Sequence, residues 1–317
     1  MIRVLVVGVG AMGFAHAKAC ASFPDVEIVG LVARDFQKWP EVTAFFADAP
    51  LFSDIGSALI NSKPDAVIIS SYTDTHADYT IQAMEAGADV FVEKPLATTI
   101  KDAGRVIASA RRTGQKLVVG FILRHHAMWK KFVELAKTLG KPLKATITSN
   151  QHSVGEAWQL HKNILSGGLS PIVDCGVHHA DLMVQLTGGE VSDINAYGQK
   201  AFPDLNVENL TNMVINYSDG SQLYFESGFG PTINPNDIAV RKITGPNGFV
   251  LIGDENNVIH NDDIHQFPEN TYQKSIENQQ KHFLNVIKND IDLEEHFEAV
   301  ALSMATVLVA EDVMKNG

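Results

Sequence analysis

Residues 173–186 read VDCGVHHADLMVQL and carry Asp174, His178, Asp181 and Gln185 in a run that is otherwise largely apolar. At the helical repeat these fall at i, i+4, i+7 and i+11, one polar stripe along a rod. Such a stripe either faces water or lines a cleft. In a cleft, His178 could move a proton near neutrality, and Asp174 one turn earlier could orient the ring, stabilise its charged form or hold a neighbouring hydroxyl. Upstream, the EKP of residues 93–95 places an ammonium at Lys94. Pro95 restricts Lys94 to extended backbone, which fixes the direction of its side chain. An ammonium there could stabilise an oxygen on which negative charge develops. Set against this, most lysines and amphipathic helix faces are simply solvated.

The elements that would hold these groups begin with the run Arg3–Val7, followed at once by Gly8, Gly10 and Gly13 and then a helical pattern through Ala21. Strand, glycine turn and helix in this order form a dinucleotide-binding unit. Gly8 permits the tight turn, Gly10 lets the backbone approach a pyrophosphate, and Gly13 lets the helix pack on the strand, with Ala11 and Met12 presenting helix-start N–H groups. The next strand, Val26–Val32, ends in ARD, with Ala33 where an acidic residue would hold the ribose of NAD and Arg34 immediately after it. Arg34 suits a 2′-phosphate, so the cofactor expectation leans to NADP; Asp35, displaced by one residue, keeps NAD open.

Further strand–helix units follow at DAVIISS, DVFVEKP and KLVVGFI. Their alternation predicts a doubly wound parallel sheet covered on both faces, with ligands beyond the carboxyl ends of the strands. That rule points to Ser70, Ser71, Tyr72 and Thr73, to Glu93 and Lys94, and to Arg124; His76 joins them at the start of the following helix.

Taken in order, VGVGAMG, THADYTIQAMEAGADVFVEKPLA, VGFILR and GGLSPIVDCGVHHADLMVQLTGG resemble the glucose–fructose oxidoreductase and myo-inositol dehydrogenase (Gfo/Idh/MocA) family. The likeness runs from the first strand through residue 190, beyond which only the general pattern matches. It implies Lys94, Asp174 and His178 as the catalytic constellation. It also implies an N-terminal Rossmann domain and a C-terminal α+β domain with an open antiparallel sheet through which copies associate. SYTDTH departs from the family, with Tyr72 and Thr73 where many relatives have a proline-containing turn. Family substrates range from sugars and cyclitols to diols and imines, so membership leaves the substrate open.

After Arg124 the alternation stops. SDGS and GPNG separate strand-like runs and read as hairpin turns, so the second domain is expected to be antiparallel, with flanking helices on one face. The expected boundaries are 1–122 for the nucleotide domain and 123–317 for the substrate and oligomerisation domain, with the apolar run 297–314 packing back on the first. His152 and Trp158 are candidate substrate contacts, as is His161; each reads equally well as packing or surface. His179, about 100° round the helix from His178, and Asp181 are expected to be structural.

Composition bounds the class. The chain has 317 residues, 45% of them hydrophobic, with 37 acidic against 25 basic residues and a formal net charge of −12. It can bury more than one core, and it has no general affinity for nucleic acid or anionic membranes. Cys20 and Cys175, far apart and without ligand spacing, fit a reducing compartment. With no signal-peptide pattern and no apolar run of spanning length, a cytoplasmic protein is expected. No third ligand accompanies Asp174 and His178 at recognisable spacing, so no metal is expected. The resulting expectation is an NAD(P)-dependent oxidoreductase, leaning to NADP, acting on CH–OH groups of a sugar, cyclitol or related polyol and forming a homodimer or homotetramer. The roles of Lys94 and His178 are interchangeable at this level. Two alternatives stand beside it: a relative that recycles bound cofactor to drive elimination or glycoside cleavage, and a non-enzymatic NADP-sensing protein.

Overall fold

The computed structural model describes residues 1–236, 239–269 and 271–317. They form two compact units, Met1–His125 with Tyr272–Glu298, and His126–Thr271 with Ala299–Gly317.

In the first unit, strands β1 (Ile2–Val7), β2 (Val26–Val32), β3 (Leu51–Phe52), β4 (Ala66–Ile69), β5 (Asp89–Val92) and β6 (Leu117–Val119) make a sheet of order β3-β2-β1-β4-β5-β6. All its pairings are parallel. Parallel strands need crossovers, and these are supplied by helices α1 (Ala11–Ala21), α2 (Pro40–Phe45), α3 (Ile55–Ser62), α4 (Thr73–Glu85) and α5 (Ile100–Thr113). Val4–Val7, Ala66–Ile69 and Val90–Val92 are buried without alternation, which is why these strands read as continuous apolar runs. Helix α5 starts where the Thr99 hydroxyl accepts from Asp102 N–H at 3.0 Å and stops at Gly114, whose φ of +75° a residue with Cβ rarely adopts. The strand order reverses between β1 and β4, the point where this architecture binds ligands. The helix α10 (Thr271–Lys288) packs here as well, with Ile276 against Ala19 and Ile122.

The second unit holds helices α6 (Ala127–Ala136), α7 (Gly155–Ser166), α8 (Pro171–Asp174) and α9 (Gly176–Thr187), and strands β7 (Lys144–Thr148) and β8 (Gln151–His152). Strands β9 (Val191–Gln199), β10 (Leu210–Tyr217), β11 (Gln222–Gly230), β12 (Arg241–Gly245), β13 (Gly248–Ile252), β14 (Asn257–His260) and β15 (Asp263–Gln266) follow. Their order is β15-β14-β13-β12-β7-β11-β10-β9, with β8 beside β11. SDGS and GPNG do form the tight connections β10–β11 and β12–β13, and neighbours joined by such turns are antiparallel. The central β7–β11 pair is parallel instead, which makes the sheet mixed. Between those two strands lie α7, α8, α9 and the three strands β8, β9 and β10, so no local turn dictates their relative sense.

Along β10, Thr211, Met213, Ile215 and Tyr217 are buried while Asn212 is exposed; α8 and α9 cover the buried face. Helix α11 (Glu294–Asn316) contributes Glu294–Glu298 to the first unit and its remainder to the second, where the Ser170 hydroxyl donates to Glu311. No helix among the described residues is long and apolar enough to cross a membrane.

Candidate active site

In the first unit, the glycine turn divides its work among three residues. Gly8 has φ +88°, and a Cβ there would meet the Ser70 carbonyl oxygen at 2.4 Å. A Cβ on Gly13 would lie 1.8 Å from the Gly8 carbonyl oxygen, so only glycine lets α1 start this close to β1. Gly10 is different: a Cβ would find nothing nearer than the Trp39 indole at 3.8 Å. The turn therefore keeps an open surface at Gly10, directly before a helix whose start no side chain caps. Uncapped N–H groups and the helix dipole favour an anion there, so the residues fit the pyrophosphate of a dinucleotide. Trp39 has no motif around it and was not singled out by sequence reasoning.

The tips of the neighbouring strands complete this side. Arg34, exposed after β2, stacks its guanidinium 5.2 Å from the centre of the Tyr72 ring, which follows β4. Asp35 is turned to its own helical turn, accepting from Gln37 N–H at 3.0 Å. Ser71 Oγ lies 2.6 Å from Thr75 Oγ1. His76 is buried, with Nδ1 2.9 Å from the Pro95 carbonyl and Nε2 3.1 Å from the Ser71 carbonyl, so it braces the β4 and β5 tips against each other. Burial holds its pKa below the ordinary imidazole value.

Lys94 leaves β5 half-buried, followed by a cis bond to Pro95, and its backbone N–H donates to Glu93 Oε2 at 3.1 Å. Glu93 is buried and its other oxygen lies 2.8 Å from His16 Nε2. Tyr272 of α10 sits over the glycine turn, its hydroxyl 3.6 Å from Met12 Sδ. Burial raises its pKa, the Glu93 carboxylate adds to the rise and the Lys94 ammonium opposes it. Tyr272 lies so far along the chain from the turn that no local pattern could have flagged it. Arg124 follows β6 and packs 5.7 Å from the Phe121 ring centre.

In the second unit, the run that sequence periodicity reads as one helix is two. Helix α8 ends at Asp174, α9 starts at Gly176, and Cys175 between them keeps right-handed helical angles of φ −92° and ψ −40°. A Cβ on Gly176 would come within 3.0 Å of Met213 Cε and 3.3 Å of a Phe225 ring carbon, so the break sits where the chain presses closest to the sheet. Asp174 and His178 are half-buried, whereas Asp181 is fully buried and accepts from Gln185 Nε2 at 3.1 Å. Within the stripe only Asp181 is internal, while Asp174, His178 and Gln185 remain partly accessible. His179 is buried against Trp129 and Phe225 at ring separations of 5.5 and 5.1 Å, and burial pushes its pKa down to about 3. Its Nδ1 has no hydrogen-bond partner among the described residues, and aromatic rings pack on it.

His161 is the further histidine of this region. Its ring stacks on Phe229 at 4.3 Å and 12°, and Nδ1 lies 2.8 Å from Ser153 Oγ. Burial lowers its pKa while the Asp174 carboxylate opposes that shift. Trp158, one turn earlier on α7, packs 5.2 Å from Phe202 and over Gly230, where a Cβ would stand 3.3 Å from the indole. His152 is exposed, with Nδ1 2.7 Å from the Ile233 carbonyl. Among the described residues, no three of His, Cys, Asp or Glu gather in a way that could hold a metal ion.

Residues 2–121 match the model of an oxidoreductase family with an NAD-binding Rossmann fold, GFO_IDH_MocA, and residues 130–248 match the GFO/IDH/MocA C-terminal domain. The chain is 30% identical over 215 residues to the scyllo-inositol 2-dehydrogenase (NAD(+)) of Bacillus subtilis, covering 62% of this chain and 57% of that protein. It therefore spans little more than half of that relative. It is 27% identical over 272 residues to the inositol 2-dehydrogenase of Acidothermus cellulolyticus, 81% of this chain and 74% of the other. The scyllo-inositol dehydrogenase of Lactobacillus casei, solved with NAD(H) and scyllo-inositol, superposes with a TM-score of 0.82 at 18% identity, over 99% of this chain and 97% of that one. The UDP-N-acetylglucosamine 3-dehydrogenase of Acidithiobacillus ferrooxidans gives 0.80 at 21%, over 99% and 98%. At those identities the two structures bear on the fold alone. A glycine cradle open only at Gly10, Lys94 at the β5 tip, the Asp174–His178 pair, and two family models that between them match most of the chain lead to one assignment: this chain belongs to the Gfo/Idh/MocA oxidoreductase family.

Proposed function

We propose that the protein is an NAD(P)-dependent oxidoreductase, preferring NADP, that moves a hydride to or from a carbinol carbon of a sugar, inositol or related polyol. The observation that carries this reading is the glycine cradle, open at Gly10 and closed by backbone at Gly8 and Gly13, with Lys94 on the same sheet. The names of the relatives, inositol dehydrogenases and a D-glucoside 3-dehydrogenase, supply the substrate class.

Gly8, Gly10, Ala11, Met12 and Gly13 hold the phosphates, and Ser70, Ser71, Tyr72, His76 and Glu93 shape the neighbouring strand tips, with Arg124 after β6. When bound, the nicotinamide supplies the hydride acceptor or donor. Lys94 places its ammonium where the reacting oxygen gains charge, and His178 takes the hydroxyl proton or returns it. Asp174 orients His178 or a neighbouring substrate hydroxyl. His152 and Trp158 serve as substrate contacts, the indole offering an apolar face to a ring.

The NADP preference rests on the first unit. Ala33 offers no carboxylate, Asp35 is engaged with Gln37, and Arg34 lies against Tyr72 with Lys38 on the following turn. A guanidinium so placed matches a 2′-phosphate better than a ribose hydroxyl. The uncovered face of the β7–β15 sheet, carrying exposed Tyr197 and Ile264, is the proposed self-association surface of a homodimer or homotetramer.

The test is a screen of inositols and sugars with both oxidised cofactors, read by nicotinamide absorbance. Lys94→Ala and His178→Ala are each expected to bind cofactor as wild type does and to lose about 100-fold or more in turnover. Unchanged rates in either variant would reject that residue's assignment.

A further inference from the structure

Behind Lys94 lies a buried chain of polar side chains that the reaction as proposed does not use. The Cys20 thiol donates to Gln280 Oε1 at 3.4 Å, Gln280 Nε2 lies 2.9 Å from His16 Nδ1, and His16 Nε2 lies 2.8 Å from Glu93 Oε1. Glu93 Oε2 in turn accepts from the Lys94 backbone N–H at 3.1 Å. Cys20, His16 and Gln280 have no exposed surface and Glu93 is only 8% exposed. Room has been left for the carboxylate, since a Cβ on Gly120 would stand 3.0 Å from Glu93 Oε1.

The direction of these bonds is determined. An amide nitrogen can only donate, so Gln280 Nε2 gives its proton to His16 Nδ1, which must then be the unprotonated nitrogen of the ring. His16 Nε2 consequently carries the hydrogen and donates to Glu93. Gln280 keeps that orientation because its oxygen receives the Cys20 thiol, and burial pushes the thiol pKa up to about 12, so the proton stays on sulfur. A buried carboxylate that receives an imidazole N–H on one oxygen and a backbone N–H on the other is fixed in orientation by the two bonds.

We propose that His16 is a positioning residue for Lys94: locked as the Nε2–H tautomer by Gln280, it holds Glu93 in place, and Glu93 anchors the Lys94 backbone. The proposal deepens the oxidoreductase reading above and rests on it for the use of Lys94. His16 lies on α1, the helix whose first turn faces the cofactor phosphates, so the chain ties the phosphate-binding helix to the β5 tip within one unit. The Glu93 carboxylate also acts on His76 and on the Tyr272 phenol, raising the pKa of each, and the Lys94 ammonium opposes it at both.

The experiment is nitrogen-15 and carbon-13 NMR of the full chain, with turnover measured in parallel. In the wild type, His16 is expected as the neutral Nε2–H tautomer; a proton on Nδ1 would overturn the proposal without any variant being made. In His16→Phe, the Lys94 amide is expected to exchange with solvent at least tenfold faster. His16→Gln, which keeps a donor, should recover the slow exchange. A Lys94 amide whose exchange does not change in folded His16→Phe contradicts the proposal. In assays, His16→Phe should lower kcat while leaving the cofactor KM within about twofold, and His16→Gln should restore it. The NMR readouts need no substrate, so their success without polyol-dependent turnover would count against the oxidoreductase reading alone.

Discussion

In the proposed reading, Arg34 is the residue on which cofactor choice turns. A charge-assisted bond to a 2′-phosphate contributes roughly 1.5–3 kcal/mol, equivalent to about 10- to 100-fold in affinity. Arg34→Ala should therefore weaken NADPH by about that factor in a fluorescence titration and leave NADH within about twofold. Equal weakening of both would remove the phosphate contact. The position of Arg34 was legible because the residue after a parallel strand must emerge at the ligand edge. Trp39 and Tyr272 were not, since their proximity to Gly10 and Met12 arises from tertiary packing rather than from spacing along the chain. His179 reads as structural, and its ring is buried between Trp129 and Phe225, with Nδ1 lacking a hydrogen-bond partner among the described residues.

At the scale of elements, the strand–turn–helix of β1 and α1 separates folding from binding. Gly10→Ala adds a methyl to open space, so stability should change by no more than about 1 kcal/mol in urea denaturation. The same substitution should cost most of the dinucleotide affinity, because the methyl stands where the phosphates would approach. Gly13→Ala drives a Cβ into the Gly8 carbonyl and should destabilise the unit itself, by several kcal/mol. A Gly10→Ala protein that binds cofactor normally would place the phosphates elsewhere. The parallel sheet could be read in advance because each strand is a continuous apolar run followed by turn residues and a helix. The parallel β7–β11 pair could not, since pairing across so long a connection leaves no local trace. Nor could the break at Cys175, which the closeness of Gly176 to Met213 and Phe225 imposes from outside the helix.

Over the whole molecule, acid stability should be governed by buried imidazoles in both units. Burial pushes the pKa of His179 and of His296 down to about 3, from an unperturbed 6.5. His296 also accepts the Val119 N–H at 3.0 Å, which requires the neutral ring. Between pH 6.5 and about 3 the unfolded chain takes up protons that the folded chain refuses. The stability these histidines allow is therefore complete above 6.5 and lost as pH falls through that window. The expected loss is about 2 kcal/mol for each histidine by pH 5, an order-of-magnitude figure measurable by urea denaturation at several pH values. His179→Phe should flatten the slope by close to one proton. An unchanged slope would mean that His179 is already protonated in the folded state or remains neutral on unfolding.

The claim on which the rest depends is that a hydride passes directly between substrate carbon and nicotinamide. It is tested most directly by mass spectrometry of the cofactor after a single turnover on a polyol deuterated at the carbinol carbon. The account predicts one deuteron in every reduced nicotinamide, with none lost to water. Product formed without net cofactor reduction, or reduced cofactor free of label, would contradict it.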